Sequence, residues 1–177
     1  MSKKLSVAIS FILVLIGVGA RLLPHAPNIT PLTAIALFAA TYLGMRYAGM
    51  VLLATMVTSD LWIGTYNPGV MASVYGSLMI ASLIGLLVKK RVNILSAGAG
   101  ALGASIIFFV ITNAAVWAFT PLYPHTFAGL MQSYAMAIPF FKNSLAGDLG
   151  YTAVLFGAME LFRYRLTQSV RSLAKTS

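Results

Sequence analysis

The sequence predicts an all-α membrane protein with six transmembrane helices. Composition is the first reason. Of 177 residues, 59% are hydrophobic and 8% are charged, and mean hydropathy is +0.89. A soluble domain carries about 25% charged residues. The second reason is segmentation, because long apolar runs alternate with short gaps that hold cations, prolines and turn residues. The third is where the charge lies. A net charge of +9 could suggest nucleic acid, but the cations sit between apolar runs, where topology signals belong. No nucleic-acid surface is expected, and the lipid bilayer is the first partner. The length suits one integral membrane domain, 1–177, with no room for a soluble enzyme domain. Cysteine is absent, which excludes disulfides and thiolate metal sites.

The expected helices cover 5–23, 31–45, 47–64, 70–88, 94–119 and 143–162. Lys3 and Lys4 precede the first. Val18-Gly19-Ala20 resembles a signal-cleavage site, but the following sequence stays apolar, so the run is read as a retained helix. The second helix would span only ~22 Å at ~1.5 Å per residue, short of a ~30 Å hydrocarbon core. Arg46 separates it from the third. Tyr66-Asn67-Pro68-Gly69 makes a turn before the fourth, which stops at Lys89-Lys90-Arg91. The fifth opens with SAGAGALGAS, small residues that let helices approach closely. The stretch 120–141 is broken by prolines and reads as an outer loop with a short amphipathic helix. A basic tail follows the sixth helix, and Glu160 can pair locally with Arg163 at i+3.

Charge bias orients this arrangement. With both termini cytoplasmic, Lys3, Lys4, Arg46, Lys89, Lys90, Arg91, Arg163, Arg165, Arg171 and Lys175 fall inside, and Arg21 and Lys142 fall outside. The positive-inside rule favours that orientation.

The stretch RLLPHAPNITPLTAIALFAA, 21–40, organises the remainder. Proline lacks a backbone donor and pushes the preceding residue away from helix, so Pro24, Pro27 and Pro31 hold an irregular path between apolar runs. Irregular backbone at membrane depth is tolerated where it is buried in protein or lines a wet cavity. This segment is therefore expected to wall a substrate pocket. Arg21, His25, Asn28, Thr30, Asp60, Asn113, Asn143 and Asp148 all fall toward one side of the orientation and form the candidate substrate-binding set. Intramembrane ionisable groups usually face a bundle interior or wet cavity. Arg21 and Lys142 are the expected partners of Asp60 and Asp148, and structural ion pairing is the competing account of each pair.

No Ser-His or His-Glu-x-x-His pattern points to hydrolysis, so no catalytic residue is expected. His25 and His125 lack ligand spacing, so no metal site is expected either. No cofactor is implied. Without a Walker A motif, energised uptake would need an ATPase partner. A subunit or assembly factor with no transport cycle of its own is the alternative.

RLLPHAPNITP at 21–31, Ser59-Asp60, Thr112-Asn113 with Trp117, and PFFKNSLAGD at 139–148 resemble an uncharacterised family of small bacterial membrane proteins. That family looks like the S-components of energy-coupling-factor (ECF) vitamin transporters, with six helices, a loop after the first and polar positions near the outer helix ends. The resemblance implies a bacterial inner-membrane, S-component-like bundle that binds a vitamin-like molecule or metal from outside. It also implies coupling to an ECF scaffold subunit and two ATPase subunits. S-components carry an Ala-x-x-x-Ala docking motif in the first helix. Here Ser6 and Ser10 stand in the first helix, and Ala36-x-x-x-Ala40 lies in the second.

Overall fold

The computed structural model describes residues 2–24 and 28–176, with side chains described through Gln168. Six helices follow one another with no strand among the described residues: α1 Lys3–Leu22, α2 Leu32–Tyr42, α3 Met45–Ile63, α4 Pro68–Val88, α5 Ile94–Phe119 and α6 Phe127–Thr176. Local chemistry sets the boundaries. Asn67 accepts from the Gly69 and Val70 amides at 2.9 and 3.2 Å, with Pro68 as the first helical residue. That combines a side-chain cap with a residue whose missing N–H would be unpaired anyway. Asn93 and Ser96 form a reciprocal capping box at the start of α5. Between α2 and α3, Gly44 turns the chain at φ 91°, a conformation that side chains with a Cβ resist.

Among the described residues, four helices are long and apolar enough to cross a membrane: α1, α4, α5 and α6. This fits a multi-pass membrane protein. α3 has 19 residues and carries Arg46 and Asp60. α2 has only 11 residues, ~16 Å at ~1.5 Å per residue. Every residue of α2 from Leu32 to Thr41 is buried, and a helix that is apolar all round belongs in an interior. The other five helices enclose it. Its seat on α4 is close enough that a methyl group on Gly85 would meet the Leu37 carbonyl oxygen at 2.5 Å. Thr41 Oγ1 lies 2.9 Å from the Gly85 carbonyl across the same contact. Such small-residue approaches and interhelical polar bonds hold helices together where lipid removes the hydrophobic drive.

One expectation is corrected. The loop after α5 is short, and helix resumes at Phe127, although the stretch 120–141 reads as broken. Thr126 caps the new helix, its hydroxyl oxygen accepting from the Gly129 amide at 3.1 Å. Pro139 then lies within α6, where it removes one backbone donor without ending the helix.

α5 and α6 run antiparallel, and the path of α6 is the longer one. Ser133 Oγ donates to the Asn113 carbonyl at 3.0 Å, and Ser105 Oγ lies 2.5 Å from Asp148 Oδ2. Between those two contacts α6 advances fifteen residues and α5 only eight. At ~1.5 Å per residue, ~22 Å of α6 faces ~12 Å of α5. Pro139 falls in this stretch, and so does a cavity.

Candidate functional site

The cavity has a volume of about 190 Å³. α5 contributes Ser105, Phe108, Phe109, Thr112 and Asn113; α6 contributes Ala137, Phe140, Phe141, Ser144 and Asp148; and Asn28 reaches in from the irregular segment. A second space of about 130 Å³ shares Asn28, Phe108, Ser144 and Asp148 with the first, and adds Thr30, Leu32, Thr33 and Leu78. Leu78 is the midpoint of α4 and Ser105 lies near the midpoint of α5. The chain from Asn28 to Thr33 therefore lies against the middle of the bundle rather than across its end, and α2 is short because it starts there.

Two features seat this segment. Asn28 has φ 62°, the left-handed region that asparagine visits more readily than most residues. Gly147 on α6 lies under Ile29, and a methyl group added to it would meet Ile29 Cγ2 at 3.2 Å and Cα at 3.3 Å. A larger residue at 147 would push the segment out.

Asp148 is the chemically distinctive wall residue. It is 5% exposed, and among the described residues no cation pairs with it. Its carboxyl is hydrogen-bonded instead by Ser105 from α5 and Thr33 from α2. Ser105 Oγ also lies 2.9 Å from the Ala101 carbonyl. A hydroxyl carries one proton, so Ser105 donates to Ala101 or to Asp148, and an ionised Asp148 draws that proton toward itself. Lys142, the expected partner of Asp148, is six residues away on the same helix. That spacing puts the two side chains on different faces.

Asp60 has the opposite surroundings. It is 4% exposed, and Arg21 Nη2 lies 2.7 Å from its Oδ1. Tyr75 donates to its Oδ2 at 2.7 Å. Arg21 Nη1 also donates to Ser59 Oγ and lies 3.4 Å from the Met56 carbonyl. This network ties α1, α3 and α4 together, and neither Arg21 nor Asp60 lines the cavity.

The eight expected site residues thus divide. Asn28, Asn113 and Asp148 share the larger cavity, and Thr30 lines the adjoining space. Arg21 and Asp60 hold each other. Asn143 is half-buried on α6 beside the wall residue Ser144, and His25 lies outside the described residues. Phe140 and Phe141, which the sequence reads first as packing residues able to line the pocket, do line it, whereas Ser105, Thr33, Ser144, Phe108 and Phe109 are not among the residues the sequence points to. Serines and phenylalanines in a helix that is apolar nearly all round carry no periodic signal. Among the described residues, no three His, Asp or Glu side chains gather as a metal site would require.

Fold and site together describe a helical bundle of membrane type, with an acid-bearing cavity at its middle. The chain belongs to the family of unknown function DUF6580, which matches residues 1–170. No curated protein and no solved structure matches it.

Proposed function

We propose that this chain is the substrate-binding membrane subunit of a small-molecule uptake transporter, of the S-component type. One observation carries the reading. A buried carboxylate, hydroxyls, amides and phenyl rings converge on a cavity walled by α5, α6 and an irregular segment. An ionisable group at membrane depth is costly, and one that faces a cavity instead of a counter-charge is read first as part of a solute pathway. Small-molecule sites are concave and mostly apolar, with a few convergent polar groups, and this cavity has that character. The ten-to-two cation bias puts both termini in the cytoplasm. The chain would then cross a bacterial inner membrane six times, the short α2 completing its crossing together with the Asn28–Thr33 segment, which enters from the outer face. Energy would come from partners, a scaffold subunit with ATPases, since the chain has no nucleotide motif of its own.

Uptake by cells tests this directly. Cells with and without the chain are grown in defined medium, and solute depletion is followed by mass spectrometry. The chain should accelerate uptake of at least one solute and should co-purify with ATPase subunits. Identical depletion profiles and no ATPase partner would contradict the proposal and favour a subunit without a transport cycle.

A further inference from the structure

We infer that the cavity around Asp148 selects a small organic cation, a protonated amine or quaternary ammonium with a compact apolar body. The inference rests on reading this cavity as the substrate site.

The charge argument comes first. Of the three acidic residues in the chain, Glu160 meets Arg163 at 3.2 Å and Asp60 meets Arg21 at 2.7 Å. Asp148 alone is held by hydroxyls and by no cation among the described residues. A buried carboxylate without a counter-charge is costly. Ionised, it has about four lone-pair positions, of which Ser105 and Thr33 occupy two. The remaining acceptor capacity lies at a cavity wall, where an arriving ammonium would supply both the missing charge and the missing donors.

The rest of the lining decides which cation. Phe108, Phe109 and Phe141 line the same space, and the Phe109 and Phe141 rings pack with centroids 4.7 Å apart. Phenyl rings offer no metal ligand. Their faces do attract an ammonium, and they shelter an apolar body attached to it. A strongly hydrated bare ion would find half its surroundings unable to replace its water. Size narrows the class further. About 190 Å³ lies below the roughly 300–1,000 Å³ of pockets for drug-sized ligands, so the body is no larger than a ring or two.

A matched trio of probes tests this on the purified full chain in detergent: benzylammonium, benzyl alcohol and benzoate at equal ionic strength. Thermal unfolding and calorimetry should report binding of benzylammonium and of neither analogue. Asp148→Asn should weaken that binding at least about tenfold, the scale of a charge-assisted contact. Should Asp148→Asn fail to fold, the paired replacement Phe109→Leu and Phe141→Leu keeps the wall apolar and removes the ring faces. That variant should lose most of its affinity for benzylammonium. Stabilisation by benzoate or benzyl alcohol as strong as by the cation would overturn the inference, as would a response to sodium chloride alone. So would no response to any probe. A neutral or anionic molecule co-purifying in the cavity would end the claim of cation selectivity yet leave the substrate site standing. An empty cavity together with silent probes would end both.

Discussion

Ser105 on α5 and Asp148 on α6 meet with their oxygens 2.5 Å apart, near the middle of the bundle and at the wall of a cavity. The contact uses a hydroxyl where the other buried aspartate, Asp60, uses a guanidinium. That difference separates the two acids by role. Asp60 is neutralised inside the protein and joins three helices. Asp148 keeps acceptor capacity facing open space.

The Arg21–Asp60 pair should therefore govern stability and leave ligand affinity alone. Removing one partner of a buried pair destabilises by ~3–5 kcal/mol, and Arg21 is 13% exposed, so the lower end applies. Arg21→Gln and Asp60→Asn should each lower the unfolding midpoint in detergent. The double variant should lose less than the two singles combined, with a coupling of ~0.5–3 kcal/mol. Strict additivity would show that the contact contributes nothing. Tyr75→Phe, which removes one donor from Asp60, should cost less, ~1.5–3 kcal/mol for a hydrogen bond to a charged group.

Position 28 calls for a glycine control. The left-handed backbone costs an ordinary residue ~1–2 kcal/mol, so Asn28→Ala combines strain with loss of the side chain. Asn28→Gly removes the side chain without the strain. Asn28→Gly should fold like the parent and bind ligand up to tenfold more weakly, while Asn28→Ala should also melt lower. Equal melting of the two variants would show that the φ 62° conformation is not required.

The close seat of α2 on α4 gives a steric test. Gly85→Ala places a methyl 2.5 Å from the Leu37 carbonyl oxygen, and overpacking of that kind costs ~1–3 kcal/mol. Gly150→Ala is the control, since nothing lies within 4 Å of its added methyl and alanine favours helix by ~0.5–1 kcal/mol. Unfolding of the two variants should move in opposite directions. A stabilised Gly85→Ala protein would contradict the observed helix contact.

Orientation can be read with reporter fusions. Those placed after Lys90 and at the C-terminus should report cytoplasmic, and one after Pro68 should report external. A cytoplasmic reading at Pro68 would remove the outer-face entrance assigned to the cavity.

The helices were largely legible because their signals are local. Apolar runs, the Asn67-Pro68 start and the cations at Lys89-Lys90-Arg91 each mark a boundary within a few residues. The start of α6 was missed because Pro121, Pro124 and Pro139 outweighed a single capping residue, Thr126. The cap was present in the sequence, and a proline can be accommodated within a helix when neighbouring groups take up the freed backbone. The site was only partly legible. Sparse charges, a proline-rich segment and a shared side of the orientation point to Asp148, Asn28 and Asn113 respectively. The division between Asp60 and Asp148 depends on which helix faces which. Lys142 is near Asp148 in sequence and turned away on the helix, whereas Arg21 is distant from Asp60 in sequence and touches it. Ser105 and Thr33, the groups that hold Asp148, look like ordinary small polar residues until the fold brings them together.

Native mass spectrometry of the purified chain tests most directly whether the Asp148 cavity holds a small solute. Parent protein should carry a bound molecule that dissociates on activation, in stoichiometric or near-stoichiometric amount. Ser144→Leu, which fills the space at a half-buried wall position, should fold and carry none. The same bound mass in parent and Ser144→Leu protein would contradict the assignment of the site, and so would parent protein that is bare after purification and stays bare after incubation with cell metabolites.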